Sequence, residues 1–106
     1  MSIIIREAKS GTILAQGEQG TDVITYEGNL YFAPGAVNQA ALQITDRTYT
    51  CPYKGTCNWV DFVPTDGGAV RGVAWVYPEV KPGHEVIRTR FGFYAGGSGA
   101  TRQEEG

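Results

Sequence analysis

Cys57-Asn58-Trp59-Val60-Asp61-Phe62-Val63, then Pro64-Thr65-Asp66-Gly67-Gly68, then Ala69-Val70-Arg71-Gly72-Val73-Ala74-Trp75-Val76-Tyr77, is the stretch that decides the fold. Two runs rich in β-branched and aromatic residues flank a cluster of turn formers, the pattern of a β-hairpin. Side chains alternate across a strand, so Cys57, Trp59 and Asp61 share one face and Asn58, Val60 and Phe62 the other. In the second run Arg71, Val73, Trp75 and Tyr77 oppose Val70, Gly72, Ala74 and Val76. Both faces carry apolar residues, which places this hairpin at the centre of the sheet system.

Working outward, Val23-Ile24-Thr25-Tyr26 and Leu30-Tyr31-Phe32 flank Glu27-Gly28-Asn29, where Gly28 and Asn29 tolerate the positive φ of a tight turn. A last strand, Arg90 to Tyr94, follows Pro82 to Arg88, a piece long enough for one or two helical turns with Pro82 near their start. Nothing supports a long helix. The expected architecture is mainly β, a single domain over residues 1–95 with at most a short helix. Residues 96–106 are small, polar and non-periodic, and are expected to form a flexible C-terminal tail.

Composition narrows the function. A chain of 106 residues with 42% hydrophobic and 19% charged residues is the size of one domain with one core. Its formal net charge of −2 argues against a general nucleic-acid binder, which needs a basic footprint, and against docking on anionic membranes. No apolar run approaches the ~18–20 residues of a membrane-spanning helix. The start, Met1 to Glu7, lacks the basic region of a secretory signal, so a cytoplasmic, soluble protein is expected. Two cysteines are too few for a disulfide scaffold, and a reducing compartment leaves both as thiols.

Nine of the twelve aromatic residues fall between Tyr49 and Tyr94, together with both cysteines and the single histidine. The C-x₅-C spacing of Cys51 and Cys57 does not match a zinc site, so no metal and no cofactor are expected. Lys54, three residues after Cys51, is placed to lower a thiol pKa; a Cys–His enzyme would also need His84 nearby as base. Asp61 and Glu79, on or just after neighbouring strands, form a candidate acid–base pair, although pairing of Asp61 with Arg71 across the hairpin is the plainer interpretation. Arg90-Phe91-Gly92-Phe93-Tyr94 loosely resembles the base-stacking strand of an RNA-recognition motif. Without that fold's helices, Phe91 and Phe93 are expected in the core.

The strings Leu30-Tyr31-Phe32-Ala33-Pro34, Thr50-Cys51-Pro52-Tyr53-Lys54-Gly55-Thr56, Val73-Ala74-Trp75-Val76-Tyr77-Pro78 and Phe91-Gly92-Phe93-Tyr94 carry a family resemblance. Together they make the chain similar to the bacterial domain-of-unknown-function 427 family from about Val23 to Tyr94. The resemblance implies a small β-tent-like fold of two antiparallel sheets, similar to Yippee-like proteins, the cereblon ligand-binding domain and methionine sulfoxide reductase B. Several of those hold zinc on paired C-x₂-C knuckles. This chain has no such pair, so the fold is expected without the metal. The resemblance also implies a cluster of Cys51, Pro52, Tyr53, Lys54, Gly55, Trp75 and Tyr77, while the thiol at Cys57 departs from the family pattern.

The functional expectation is a pocket formed by Cys51, Tyr53, Lys54, Trp59, Trp75 and Tyr77, whose rings supply contact area and whose Lys54 attracts an anionic small molecule or partner chain. The alternative is a thiol-dependent redox protein using Cys51 with Cys57. Edge strands such as Leu30-Tyr31-Phe32 are expected to offer a pairing surface for a homodimer.

Overall fold

The computed structural model describes residues 1–106 as nine strands in two antiparallel sheets. The strands are β1 (Ser2–Glu7), β2 (Ile13–Glu18), β3 (Val23–Tyr26), β4 (Asn29–Phe32), β5 (Leu42–Cys51), β6 (Gly55–Phe62), β7 (Val70–Val76), β8 (Phe91–Tyr94) and β9 (Thr101–Glu105). The larger sheet runs β3-β4-β8-β7-β6-β5 and the smaller β2-β1-β9. The only helical pieces are short 3₁₀ turns at Pro34–Ala36 and Glu85–Ile87. No helix is long and apolar enough to cross a membrane.

The alternation of the central hairpin makes the larger sheet two-sided. Leu30, Phe32, Val60, Phe62, Ala74, Val76, Phe91 and Phe93 point inward and meet Ile3, Ile5, Leu14 and Ala15 of the smaller sheet in the main core. Tyr31, Cys57, Trp75 and Tyr77 face the other way and, with Ile87, build a second cluster. Phe91 and Phe93 are therefore core residues, as expected. The segment between β7 and β8 crosses this outer face and lays Val80 and Ile87 on it.

Within the central hairpin strict alternation fails. The β6–β7 register shifts between Val60 and Phe62, opposite Gly72 at φ 68°, so Val73 joins Ala74 in the main core. The bulge explains Asp61 as well: its Oδ1 accepts the Gly72 N–H at 2.9 Å and pairs with the Arg47 guanidinium. Arg47, not Arg71, is the partner, because β5 lies beside β6 on the side away from β7.

Three further expectations are corrected. The tail does not fray: Thr101–Glu105 pairs with β1 from Glu7↔Thr101 to Ile3↔Glu105, Thr101 is buried, and Arg6 Nε meets Glu104 Oε1 at 2.9 Å. The strand is held by backbone pairing to a ready edge and by a cross-strand ion pair, neither of which needs apolar periodicity. The β3–β4 turn places its positive φ on Glu27 (51°) and Gly28 (83°), with Asn29 already paired to Tyr26 in the ladder. Finally, β4 lies between β3 and β8, so Leu30-Tyr31-Phe32 has no free edge for a second chain; the larger sheet's outermost strands are β3 and β5.

Candidate functional site

Across the outer face, ladder register sets Tyr31 opposite Gly92, Gly92 opposite Trp75, and Trp75 opposite Trp59. Gly92 is the gap in this row, and the Trp75 indole fills it. A Cβ at position 92 would sit 2.3 Å from Trp75 Nε1. Held there, Nε1 donates to Tyr31 Oη at 3.2 Å. Trp75 meets Tyr31 and Trp59 edge-on, each with ring centroids 6.1 Å away, and Tyr94 at 4.8 Å. Such edge-to-face contacts suit the ring quadrupoles and fix the rings' orientations.

The part of this face left uncovered is a recess of about 160 Å³. Of the six residues expected at a site, Lys54, Trp59, Trp75 and Tyr77 line it; Tyr31, Tyr49, Cys57, Tyr94 and Asn29 complete the wall. Tyr53 is not part of it, being 73% exposed on the outside of its loop. Cys51 is buried under the same loop rather than in the wall. Sequence pattern locates the central strands but misses Tyr31 and Tyr94, although both alternate with core residues, Phe32 and Phe93, on recognisable strands. Two other hollows, of about 270 and 380 Å³, contain no lysine or arginine and one aromatic ring each.

The Cys51–Gly55 loop is tied down from two sides. Lys81 N donates to Lys54 O and Lys81 Nζ to Pro52 O, both at 2.8 Å. Gly55, at φ 121°, passes close to the Glu79 carbonyl, which a Cβ would approach to 3.4 Å. From the other side Glu27 Oε1 accepts from Lys54 Nζ at 2.6 Å. Burial works against the Lys54 charge, but the Glu27 hydrogen bond and nearby negative groups outweigh it, leaving the ammonium more firmly protonated than usual. Glu27 is correspondingly held below the ordinary carboxylate range by Lys54. Its neighbour Tyr26 hydrogen-bonds His84 Nδ1 and packs edge-on against Tyr31 at 6.1 Å, which joins the overlying segment to the recess.

The two thiols differ in character. Burial pushes the Cys51 thiol up, but backbone N–H groups of Lys54 and Tyr53 and the Lys54 charge outweigh it, so its pKa is lowered. Burial dominates at Cys57 and raises it. Burial likewise raises the Tyr31 and Tyr77 phenols, keeping both neutral donors at physiological pH. Both cysteines are free thiols.

The other candidates do not converge. Asp61 is engaged by Arg47, while Glu79 is exposed and paired with Arg88 at 3.3 Å, so the two acids serve separate ion pairs. No group of three or more His, Cys, Asp or Glu side chains is placed to hold a metal ion. A C-x₂-C knuckle beginning at Cys51 would need its second thiol at position 54, where the Lys54 ammonium stands instead. That cation would repel a metal, so the residues present do not fit zinc.

A family model described as domain of unknown function (DUF427) matches residues 4–104. The chain belongs to that family. The match takes in β9, beyond the strings that carry the resemblance in sequence. Among solved structures, the crystal structure of the Mis18 "Yippee-like" domain superposes with a TM-score of 0.71, covering 99% of this chain and 97% of that one at 7% identity. At that identity the likeness is one of fold. No curated protein sequence matches the chain.

Proposed function

We propose that this DUF427 domain is a binding module that takes a small anionic group, free or carried on a partner chain, into the aromatic recess beside Lys54. The observation that carries this reading is the Lys54 ammonium as the one charged group in a wall of six aromatic rings, Asn29 and Cys57. An ammonium has three donors, and Glu27 takes one. The Cys51 thiol is a second neighbour of the ammonium, which leaves donor capacity for a carboxylate, and Tyr31 Oη, which accepts from Trp75, keeps its own proton to donate.

Size restricts the occupant. A volume of about 160 Å³ is close to the ~150 Å³ of an apolar cavity that admits benzene, and below the ~300–1,000 Å³ of drug-sized sites. One ring or one branched side chain fills it, and the rest of any larger ligand must lie outside the recess. The rings supply contact area, and Lys54 sets which end of the ligand is polar.

Thermal shift with benzoate, and with benzamide as its neutral counterpart, tests this. Benzoate is expected to stabilise the wild type more than benzamide does, with the difference lost in Lys54→Met. Equal responses in the two proteins, or none, contradict it.

A second reading, thiol chemistry at Cys51 with Cys57 as partner, is favoured by the opposed shifts of the two thiols. Alkylation rate against pH checks it: Cys51 is expected to titrate below an unperturbed thiol and below Cys57. Labelling only in denaturant sets this reading aside.

A further inference from the structure

The recess opens beside the edge of the larger sheet. Strand β5 is that edge, hydrogen-bonded to β6 alone. Tyr49 of β5 belongs to the recess wall and is 54% exposed. The first half of β5 is guarded: its register with β6 slips between Ile44 and Thr48, where Asp46 and Arg47 lie, and irregularity plus charge is how native edges avoid pairing. The second half, Thr48-Tyr49-Thr50-Cys51, regains regular pairing with β6 and has no proline, lysine or other charge on it. It presents an unguarded row of backbone donors and acceptors, and it runs toward Lys54.

We propose that the partner of this recess is the C-terminal end of an extended peptide, added as a strand parallel to β5 along Thr48–Cys51. This rests on the recess being a binding site, as argued above. Direction follows from charge. A strand parallel to β5 finishes near Cys51, so its terminal carboxylate arrives at the Lys54 ammonium; an antiparallel strand would bring a repelled terminal ammonium there. Period 2 then sets the final side chain beside Tyr49 on the recess face, and the volume admits one phenylalanine- or leucine-sized group. Main-chain hydrogen bonds give affinity and the recess selects the last residue, the division of labour usual where a peptide extends a sheet edge.

Tryptophan fluorescence of Trp59 and Trp75 reads binding directly. The probes are benzoate and a five-residue peptide alternating threonine and valine and ending in phenylalanine. The peptide is used as free acid, as C-terminal amide, and as two acids N-methylated at alternate backbone nitrogens. The free acid is expected to bind at least tenfold tighter than benzoate, and the amide at least tenfold weaker than the acid. One N-methylated register is expected to lose binding while the other keeps it. If benzoate binds but the peptide acid gains nothing, or both N-methylated registers bind alike, the peptide proposal falls and the recess reading stands. If neither benzoate nor the peptide binds, both fall. A dimer in light scattering that the peptide does not dissociate also overturns the proposal, since β5 would then pair with a second copy.

Discussion

Gly92 lies directly under the indole of Trp75, so closely that a methyl group at 92 would come within 2.3 Å of Nε1 and 2.4 Å of Cε2. A glycine inside a strand ordinarily weakens it. Here it makes room for the ring around which Tyr31, Trp59 and Tyr94 are arranged.

Gly92→Ala is therefore expected to destabilise the domain by about 1–3 kcal/mol, the range for overpacking a filled site. It should also break the Trp75–Tyr31 hydrogen bond, and so change the tryptophan fluorescence of the native protein. Gly35, where an added Cβ would meet nothing within 4 Å, is the control; Gly35→Ala should leave both unchanged. Urea denaturation followed by fluorescence checks the pair.

The pair Glu27–Lys54 sets how strongly the recess draws an anion. Removing the Glu27 charge frees Lys54, so Glu27→Gln is expected to bind benzoate several-fold tighter than wild type, whereas Lys54→Met loses that binding. Isothermal titration of the three proteins at one ionic strength reads the order directly.

Glu7 is buried, and its carboxylate accepts from the backbone N–H groups of Ser10 (2.8 Å) and Lys9 (3.1 Å) and from the Ser10 hydroxyl (2.7 Å). These bonds, led by that from the Ser10 N–H, hold its pKa below the ordinary value. A lowered folded pKa gives stability that is fully present above the unfolded carboxyl pKa of ~4.3 and is lost as pH falls through the folded value. Glu7→Gln, which leaves backbone donors poorly matched, should cost about 1–3 kcal/mol at neutral pH. It should also flatten the acid limb of stability against pH, measured by denaturation from roughly pH 3 to roughly pH 7.

Strand β9 is testable by proteolysis. Trypsin is expected to cut at Arg102 slowly in the native protein, because the bond lies within the β1–β9 ladder, and quickly once Arg6→Ala removes the Glu104 ion pair and loosens the strand. Rapid cleavage at Arg102 in the wild type would show that the strand does not persist in solution.

The β character is legible in the sequence because the central hairpin is rich in β-branched and aromatic residues and its turn in glycine and proline, whereas the two-sheet arrangement follows only from the family resemblance, and β1, β2 and β9 of the smaller sheet are not read from the pattern. What the pattern hides are elements held by something other than apolar period. Strand β9 depends on a partner edge, the Asp61–Arg47 pair crosses to a strand that no hairpin signal marks, and the bulge at Gly72 turns Val73 from one face to the other. For the recess, Lys54, Trp59, Trp75 and Tyr77 are legible. Tyr53 is not, because a turn residue next to Pro52 has no alternation to say which way it points, and here it points to solvent. Glu27 escapes for a related reason: no motif marks a carboxylate that reaches Lys54 from 27 residues away.

The most direct measurement is an amide and indole NMR titration of the ¹⁵N-labelled protein with benzoate. The account predicts saturable shifts confined to the indole N–H signals of Trp59 and Trp75 and the amides of Lys54 to Cys57, all absent in Lys54→Met. No saturable shift, or shifts centred on the opposite side of the sheet around Phe62 and Phe91, would contradict it.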